Sequence, residues 1–189
     1  MYDSLLKHIS SYSGIPLTSD ECQLVQHAFL PRKLKRKQFF LQEGDICKYF
    51  GFILKGALRL YIVDKKGAEH TLQLAVEDSW IGDLESYVSF TPSRYYIDAC
   101  EDAELLLLTR EKHMELLDKI RTFEIMAKQM SVSRLIETER RVAASISLSA
   151  EERYAEFVEL HPDLMQRFPL YIIASYLGIT KETLSRIRK

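Results

Sequence analysis

The chain has 189 residues, of which 47% are hydrophobic and 28% are charged. This composition is typical of a folded globular protein and excludes a wholly disordered one. Because the formal net charge is only −1, the chain as a whole is not a polycation that coats nucleic acid or membrane, and any basic surface must come from an uneven distribution of charge.

The sequence pattern indicates neither a secretory signal nor a membrane span. Residues 1–14 contain no charged leader followed by an apolar core. The richest apolar stretch, residues 50–63, is interrupted by Lys55 and Arg59 and is far shorter than the ~20 apolar residues that a membrane helix needs. Three widely separated cysteines argue against a disulfide framework. We therefore expect a cytoplasmic protein with no membrane partner.

The first half of the chain changes from helical to strand patterning. Apolar residues up to about residue 30 have helical spacing, and Thr18 with Glu21 forms a capping box that predicts a helix start. From about residue 31 to 109, short apolar runs separated by turns predict an antiparallel sandwich, barrel or jelly roll. The predicted strands span residues 39–41, 49–54, 57–63, 71–76, 95–99 and 105–109.

From Arg110 onward the sequence is helical, and one long helix is predicted over residues 122–148. At 1.5 Å per residue this helix is ~40 Å long, which favours a bridge between modules or subunits. Its apolar stripe faces either the β-domain of its own chain or another helix of the same kind. The stripe comprises Phe123, Met126, Met130, Leu135, Val142 and Ile146. A second capping box, Ser149 with Glu152, starts a further helix that ends before Pro162.

Residues 170–187 have the pattern of a helix-turn-helix. Ala174 provides the small residue where two steeply crossed helices approach each other, and Gly178 tolerates the positive φ of the tight turn. Thr180 is a good N-cap for the second helix. The positions between them are apolar, namely Ile173, Leu177, Ile179, Leu184 and Ile187.

The remaining positions of the second helix form a polar face suited to DNA. Arginine can bond guanine N7 and O6 bidentately, lysine can bond a base edge or a phosphate, and glutamate can accept from cytosine or hold a neighbouring arginine. The predicted DNA-binding residues are Thr180, Lys181, Glu182, Ser185 and Arg186. From Gln166 onward five basic residues and one acid give +4, which leaves −5 for the rest of the chain. The alternative is an amphipathic helical hairpin without a DNA partner.

With this motif, the chain resembles the Crp–Fnr superfamily of bacterial transcription regulators. The segments that carry the resemblance are residues 43–45, 54–61, 82–84 and 178–186. The resemblance implies an α+β protein with N-terminal helices, an antiparallel β-roll that is jelly-roll-like, a long dimerisation helix and a C-terminal helix-turn-helix. It divides the chain into a cyclic-nucleotide-binding-like domain (1–110), connecting and dimerisation helices (111–148) and a DNA-binding domain (149–189). It also implies a homodimer whose two recognition helices meet double-stranded DNA ~34 Å apart. Many relatives continue beyond the recognition helix, whereas this sequence ends at Lys189, so we expect a short recognition helix.

In nucleotide-binding relatives a short helix, a glutamate and an arginine followed by serine or threonine hold the nucleotide. The corresponding ligand-binding candidates here are Gly82, Asp83, Leu84, Ser93 and Arg94.

These candidates differ from the pattern of the relatives. Asp83 is one methylene shorter than glutamate, and Glu85 adds a carboxylate that repels an anion. Ser93 and Arg94 stand in exchanged order, and a shift of one residue in a strand turns a side chain to the opposite face. We therefore expect no ordinary cyclic AMP binding unless a loop bulge realigns Arg94. A different small-molecule effector, or none, is favoured, with Tyr87, Phe90, Tyr95 or Tyr96 filling the pocket.

These patterns predict a non-enzymatic, sequence-specific DNA-binding transcription regulator with an effector-binding or degenerate sensor domain. No nucleophile–base constellation is visible, and the five scattered histidines do not predict a metal site. One alternative is a small-ligand or cyclic-nucleotide-binding regulatory module without DNA-binding function. Another is a cupin-like enzyme that uses the roll as a metal cage, which the lack of clustered histidines disfavours.

Overall fold

The computed structural model describes residues 1–188 and contains both helices and antiparallel strands. The strands are β1 (Phe29–Leu34), β2 (Phe39–Leu41), β3 (Tyr49–Lys55), β4 (Leu58–Val63), β5 (Glu69–Ala75), β6 (Trp80–Ile81), β7 (Tyr96–Ala99) and β8 (Ala103–Thr109). The helices are α1 (Asp3–Ser13), α2 (Ser19–Ala28), α3 (Leu84–Ser89), α4 (Arg110–Lys119), α5 (Arg121–Ser147), α6 (Ala150–Leu160), α7 (Leu164–Arg167), α8 (Leu170–Tyr176) and α9 (Lys181–Ile187). Lys189, one of the five basic residues counted above, lies outside the described residues.

Two four-stranded antiparallel sheets form the β-roll. One has the strand order β1-β8-β3-β6 and the other has the order β2-β7-β4-β5. Alternation along β4 explains how they pack, because Leu58 and Leu60 point into the roll while Arg59 lies on the opposite face. The predicted α+β class with a jelly-roll-like sheet pair is therefore confirmed.

The turn before β4 needs a glycine. Gly56 has φ +97°, and a Cβ there would lie only 2.6 Å from the carbonyl oxygen of Asp102. Any other residue would combine backbone strain with a steric clash. The predicted turn at Lys55-Gly56 is thus fixed by close approach of the chain that leads into β8.

A second apolar cluster lies between the first sheet and the helices. Leu5 and Ile9 of α1, Phe52 and Leu106 of the sheet, and Phe123 of α5 are buried together. Capping of α2 by Thr18 and Glu21 is as predicted, with Glu21 accepting from the Thr18 backbone N–H at 2.8 Å. These helices cover one face of the first sheet and hold the N-terminal end of α5 against the roll.

Helix α5 divides into two halves with different surroundings. Phe123 and Met126 are buried against the roll and the N-terminal helices. Leu135 is 59% exposed and Ile146 is 81% exposed. The alternative in which the stripe faces the β-domain therefore holds for the first half of the helix, whereas the second half presents an exposed apolar face.

The elements whose bounds the sequence patterns did not give are short or carry charge. Strand β1 includes part of the basic run 32–37, where Lys33 pairs with Glu104 and Lys35 pairs with Asp102, each at 2.9 Å. Strand β6 has two residues and α7 has four, so each spans only about one period of its pattern, too few for the period to be recognised. Helix α5 begins and ends one residue earlier than predicted.

Candidate functional site

Helices α8 and α9 form the predicted helix-turn-helix. Gly178 adopts φ +67° between them, and the backbone N–H of Ile179 donates to the carbonyl of Ala174 at 3.0 Å. Ala174 is 1% exposed and Leu184 is 0% exposed. Because no atom lies within 4 Å of a Cβ built on Gly178, the turn requires glycine for its φ angle rather than for space.

The N-terminal end of α9 is capped as the sequence predicts. The Thr180 side chain accepts from the backbone N–H of Thr183 at 3.1 Å. This bond satisfies one of the free N–H groups of the first turn. Thr180 thereby sets the start of α9 and the direction in which the following side chains project.

Four of the predicted DNA-binding side chains lie together on the exposed face of α9. Lys181, Glu182, Ser185 and Arg186 are all exposed and line one shallow concavity. The salt bridges formed within residues 1–188 include none from Lys181 or Arg186. The predicted hold of Glu182 on a neighbouring arginine is therefore not present, and the two cations project without a carboxylate partner.

Arg167, one of the five basic residues counted from Gln166 onward, does not lie on the exposed face of α9. Arg167 donates to both carboxylate oxygens of Glu77 and to both of Glu101, at 2.8 to 3.0 Å. Hydrogen bonding to Arg167 is the main reason that the pKa of Glu77 falls to about 2. The interpretation of Arg167 as part of a basic tail is wrong, because two carboxylates of the roll neutralise it.

Sequence reasoning also missed the polar side chains that hold the helix-turn-helix in place. Ser175 of α8 bonds two backbone groups of β5, and Arg141 of α5 donates to the carbonyls of Leu72 and Tyr176. Arg153 of α6 donates to the carbonyl of Leu177 at 3.1 Å. These contacts join residues far apart in the chain, so no local pattern could reveal them.

In the roll, the N-terminus of α3 is occupied by a side chain of the protein. The Asp83 carboxylate accepts from the backbone N–H groups of Glu85 at 3.0 Å and Ser86 at 3.3 Å. Asp83 is 4% exposed. A helix N-terminus binds anions through its free N–H groups, and here the protein's own carboxylate takes that place.

The exchanged pair Ser93 and Arg94 points in opposite directions. Ser93 is 3% exposed, and its hydroxyl accepts from the backbone N–H of Tyr95 at 3.0 Å. The Arg94 side chain is 60% exposed and pairs with Glu85 at 3.0 Å. The guanidinium therefore lies on the outside of the roll and supplies no charge to its interior.

Of the four aromatic residues expected to fill the pocket, only Tyr87 is fully buried. It is 1% exposed, and its ring packs edge-on against Phe50 at 5.0 Å. Tyr95 is partly buried against the core. The expectation is wrong for Phe90, which is 52% exposed, and for Tyr96, which stacks on Tyr61 on the outer face of the second sheet.

The residues at the nucleotide position do not fit a cyclic nucleotide. Gly82 and Leu84 flank Asp83 as predicted, but a Cβ on Gly82 would lie 3.0 Å from the Phe50 ring, and the Leu84 side chain is exposed. The N–H groups of Glu85 and Ser86 at the α3 N-terminus already bond Asp83, and the charge of Arg94 is paired with Glu85. A phosphate would lose its charge partner and compete with a carboxylate, each of which costs several kcal/mol in a buried site (~2 to 5).

Comparisons with known proteins agree with this architecture. Residues 31–120 match the family described as the cyclic nucleotide-binding domain. A chain from Eubacterium rectale, described as a regulator of the Crp/Fnr family, is similar with 18% identity and a TM-score of 0.68, over 90% of this chain and 82% of that one. The chain thus contains a segment that matches the cyclic nucleotide-binding domain, and its fold is similar to that of a Crp/Fnr-family regulator.

Two further solved structures are similar to this chain over most of their length. FixK2 from Bradyrhizobium japonicum has 20% identity and a TM-score of 0.74, over 85% of this chain and 82% of that one. The catabolite activator protein of Thermus thermophilus has 23% identity and a TM-score of 0.60, over 91% of this chain and 82% of that one. At these identities the likeness concerns the fold. A search of curated proteins found no match, and no helix within residues 1–188 is long and apolar enough to cross a membrane.

Proposed function

We propose that the protein is a cytoplasmic, homodimeric transcription regulator that binds specific sequences of double-stranded DNA through α9. The observation that carries the proposal is the exposed face of α9, where Lys181 and Arg186 project from a helix whose other side is fully buried at Leu184. A buried apolar side fixes the helix, and unpartnered cations on the outside are what base edges and phosphates require.

Each exposed side chain of α9 has a distinct role in this proposal. Arg186 bonds guanine through its two parallel donors, and Lys181, at the start of the helix, contacts a base edge or a phosphate. Glu182 accepts from cytosine, and Ser185 bonds whichever donor or acceptor lies opposite. Thr180 positions this set by capping α9.

Dimerisation is supported by the apolar face of α5. Val132, Leu135, Val142 and Ile146 recur at spacings of three, seven and four and are 54 to 81% exposed. This is the period of a helix pair that packs side by side. A two-fold axis along α5 would place two copies of α9 toward successive major grooves, ~34 Å apart.

The decisive experiment is selection of bound sites from random double-stranded DNA at low salt, followed by affinity measurement on the enriched site. Arg186→Ala should lower affinity by about 1–3 kcal/mol, or about 5- to 150-fold, and relax the preference at one base position. Arg121→Ala is the matched control, because Arg121 is an exposed arginine at the far end of α5. Failure to enrich any sequence, or equal affinity of the two variants, would refute the proposal.

The alternative is a regulatory module that binds a small ligand and no DNA. The observation in its favour is an open groove of about 450 Å³ beside β1 and β2, lined in part by Arg32, Phe40, Lys48 and Tyr49. Two cations and two aromatic rings suit a small aromatic anion. A protein that binds such an anion but enriches no DNA would favour this alternative.

A further inference from the structure

The C-terminal helices are held to the roll by an ion cluster, which we call the Arg167 latch (Arg167, Glu77 and Glu101). Arg167 is the last residue of α7. Its side chain bonds Glu77, which follows β5, and Glu101, which precedes β8. Its guanidinium makes four hydrogen bonds of 2.8 to 3.0 Å, and its side chain is 29% exposed. Glu77 is also fixed from the roll side, because it accepts from the backbone N–H of Gly56 at 2.7 Å.

The second attachment joins α8 to the open edge of the second sheet. Strand β5 is the last strand of that sheet, so its outer backbone groups have no strand partner. The Ser175 hydroxyl accepts from the Thr71 N–H and donates to the Glu69 carbonyl, both at 2.8 Å. Arg141 of α5 donates to the carbonyl of Leu72, also in β5, and to that of Tyr176 at 3.2 Å.

The apolar interface between these polar contacts is continuous. Ala57, immediately before β4, is 0% exposed and belongs to the same cluster as Phe168, Ile172 and Leu184. Leu184 is the buried residue of α9. The recognition helix is therefore packed on α8, and α8 is packed and bonded on the roll.

Only two residues, Leu148 and Ser149, join α5 to α6. Leu148 has an extended backbone, with φ −103° and ψ 146°. A connection of this kind allows rotation about its dihedral angles. The contacts with the roll, together with the hydrogen bond from Arg141 of α5 to Tyr176, fix the orientation of the helix-turn-helix relative to α5.

We propose that Arg167 is a positioning residue that determines which spacing of DNA half-sites the dimer accepts. The proposal rests on the proposed function. The dimer axis runs along α5, the roll is packed on α5, and the Arg167 latch fixes α8 on the roll. The distance and angle between the two copies of α9 are thereby set by the interface between roll and helix-turn-helix. A dimer with a loosened latch would sample many distances, bind its best site more weakly because ordering costs entropy, and discriminate less between spacings.

The test measures affinity for a series of palindromes that share one half-site and differ in spacer length by single base pairs. A two-base-pair change rotates one half-site by about 70°, since a turn has ~10.5 base pairs. We expect the unmodified protein to lose affinity roughly tenfold or more for such a change, and Arg167→Gln to lose less than about threefold, within the range over which mutations alter coupling between sites. Arg121→Gln removes the same charge from an exposed position and should keep the sharp spacing optimum.

A second variant separates geometry from charge. Glu101→Ala with Glu77→Gln opens the latch from the other side and keeps an acceptor for the Gly56 N–H. It removes two negative charges, so a charge effect alone would raise affinity at every spacing. A loosened latch would instead flatten the dependence on spacing, as in Arg167→Gln.

A measurement without DNA tests whether the Arg167 latch holds α8 on the roll, independently of the proposed DNA binding. Hydrogen exchange of the Thr71 amide, which donates to Ser175, should accelerate in Arg167→Gln and stay unchanged in Arg121→Gln. If the protein binds DNA, loses binding in Arg186→Ala, and keeps its spacing optimum in both latch variants, the positioning role is wrong while the proposed function stands. If no DNA binds at all, the proposed function fails, whatever the exchange rates are.

Discussion

The guanidinium of Arg94 lies 3.0 Å from the carboxylate of Glu85, and both side chains are about 60% exposed. The positive charge of Arg94, which could otherwise neutralise a phosphate, is therefore paired with the carboxylate of Glu85 outside the roll. The residue before it, Ser93, is the one that faces the interior, and its hydroxyl is bonded to the protein backbone. At the position where the resemblance implies a phosphate-binding arginine, the buried side chain is therefore a serine.

This arrangement predicts that cyclic AMP does not stabilise the folded protein. A ligand that binds only the native state at 100 times its dissociation constant adds about 2.7 kcal/mol of stability. For a chain of this size each kcal/mol corresponds to about 2–4 °C in melting temperature. We expect no rise in melting temperature in millimolar cyclic AMP, measured by differential scanning fluorimetry. A rise that disappears in Arg94→Gln would contradict this expectation.

The N-cap of α3 provides a second prediction. Asp83 accepts two backbone hydrogen bonds, whereas Asp163, which precedes α7, makes no side-chain capping bond. Asp83→Ala should lower the free energy of unfolding by about 0.5–2 kcal/mol, the usual value of an N-cap. Asp163→Ala should leave it within about 0.5 kcal/mol. Urea denaturation of both variants measures the difference, and equal losses would mean that the Asp83 bonds do not stabilise α3.

The exposed half of α5 leads to a prediction about assembly. Leu135 lies in the apolar stripe, and Ser133 is an exposed residue of the same helix outside it. Burying a leucine stabilises an interface by about 1.5–3 kcal/mol, and a buried, unpaired carboxylate adds a further penalty. Leu135→Glu should therefore convert the proposed dimer to monomers at micromolar concentration in sedimentation velocity, while Ser133→Glu stays dimeric. A monomeric unmodified protein would refute the dimer itself.

Local signals in the sequence predicted the elements that depend on neighbouring residues. Ala174, Gly178 and Thr180 fixed the position of the helix-turn-helix because crossing, turn and cap are each decided within a few residues. The same holds for the capping box of Ser149 and Glu152, which forms at the predicted start of α6.

Contacts between distant residues could not be predicted in this way. Arg167 looked like one cation of a basic tail, but its partners Glu77 and Glu101 lie 90 and 66 residues earlier. The division of α5 had the same cause, since whether Phe123 or Leu135 is covered depends on which part of the roll lies opposite. Periodicity shows that a helix has an apolar face, and only the fold shows what that face meets.

The contact between Trp80 and His8 makes stability depend on pH. The Trp80 indole N–H donates to His8 Nε2 at 3.2 Å, so this nitrogen must be unprotonated. Burial lowers the pKa of His8 below its ordinary value of 6.5, and a weaker interaction with Asp78 opposes the shift. In the unfolded chain His8 takes up a proton near pH 6.5, whereas in the folded protein it does so only at lower pH. The folded state therefore loses stability as the pH falls below about 6.5, and the loss ends once the folded pKa is passed.

We expect the melting temperature to fall between pH 7.5 and pH 5.5, before the carboxylates titrate, and His8→Gln to reduce that fall. Part of the fall should remain, because burial also lowers the pKa of His113. His27→Gln is the control, since His27 is exposed on α2 and contacts only the carbonyl of Gln23 in its own helix. Circular dichroism melts of the three proteins at both pH values provide the comparison. A fall in His8→Gln as large as in the unmodified protein would assign the pH dependence to other groups.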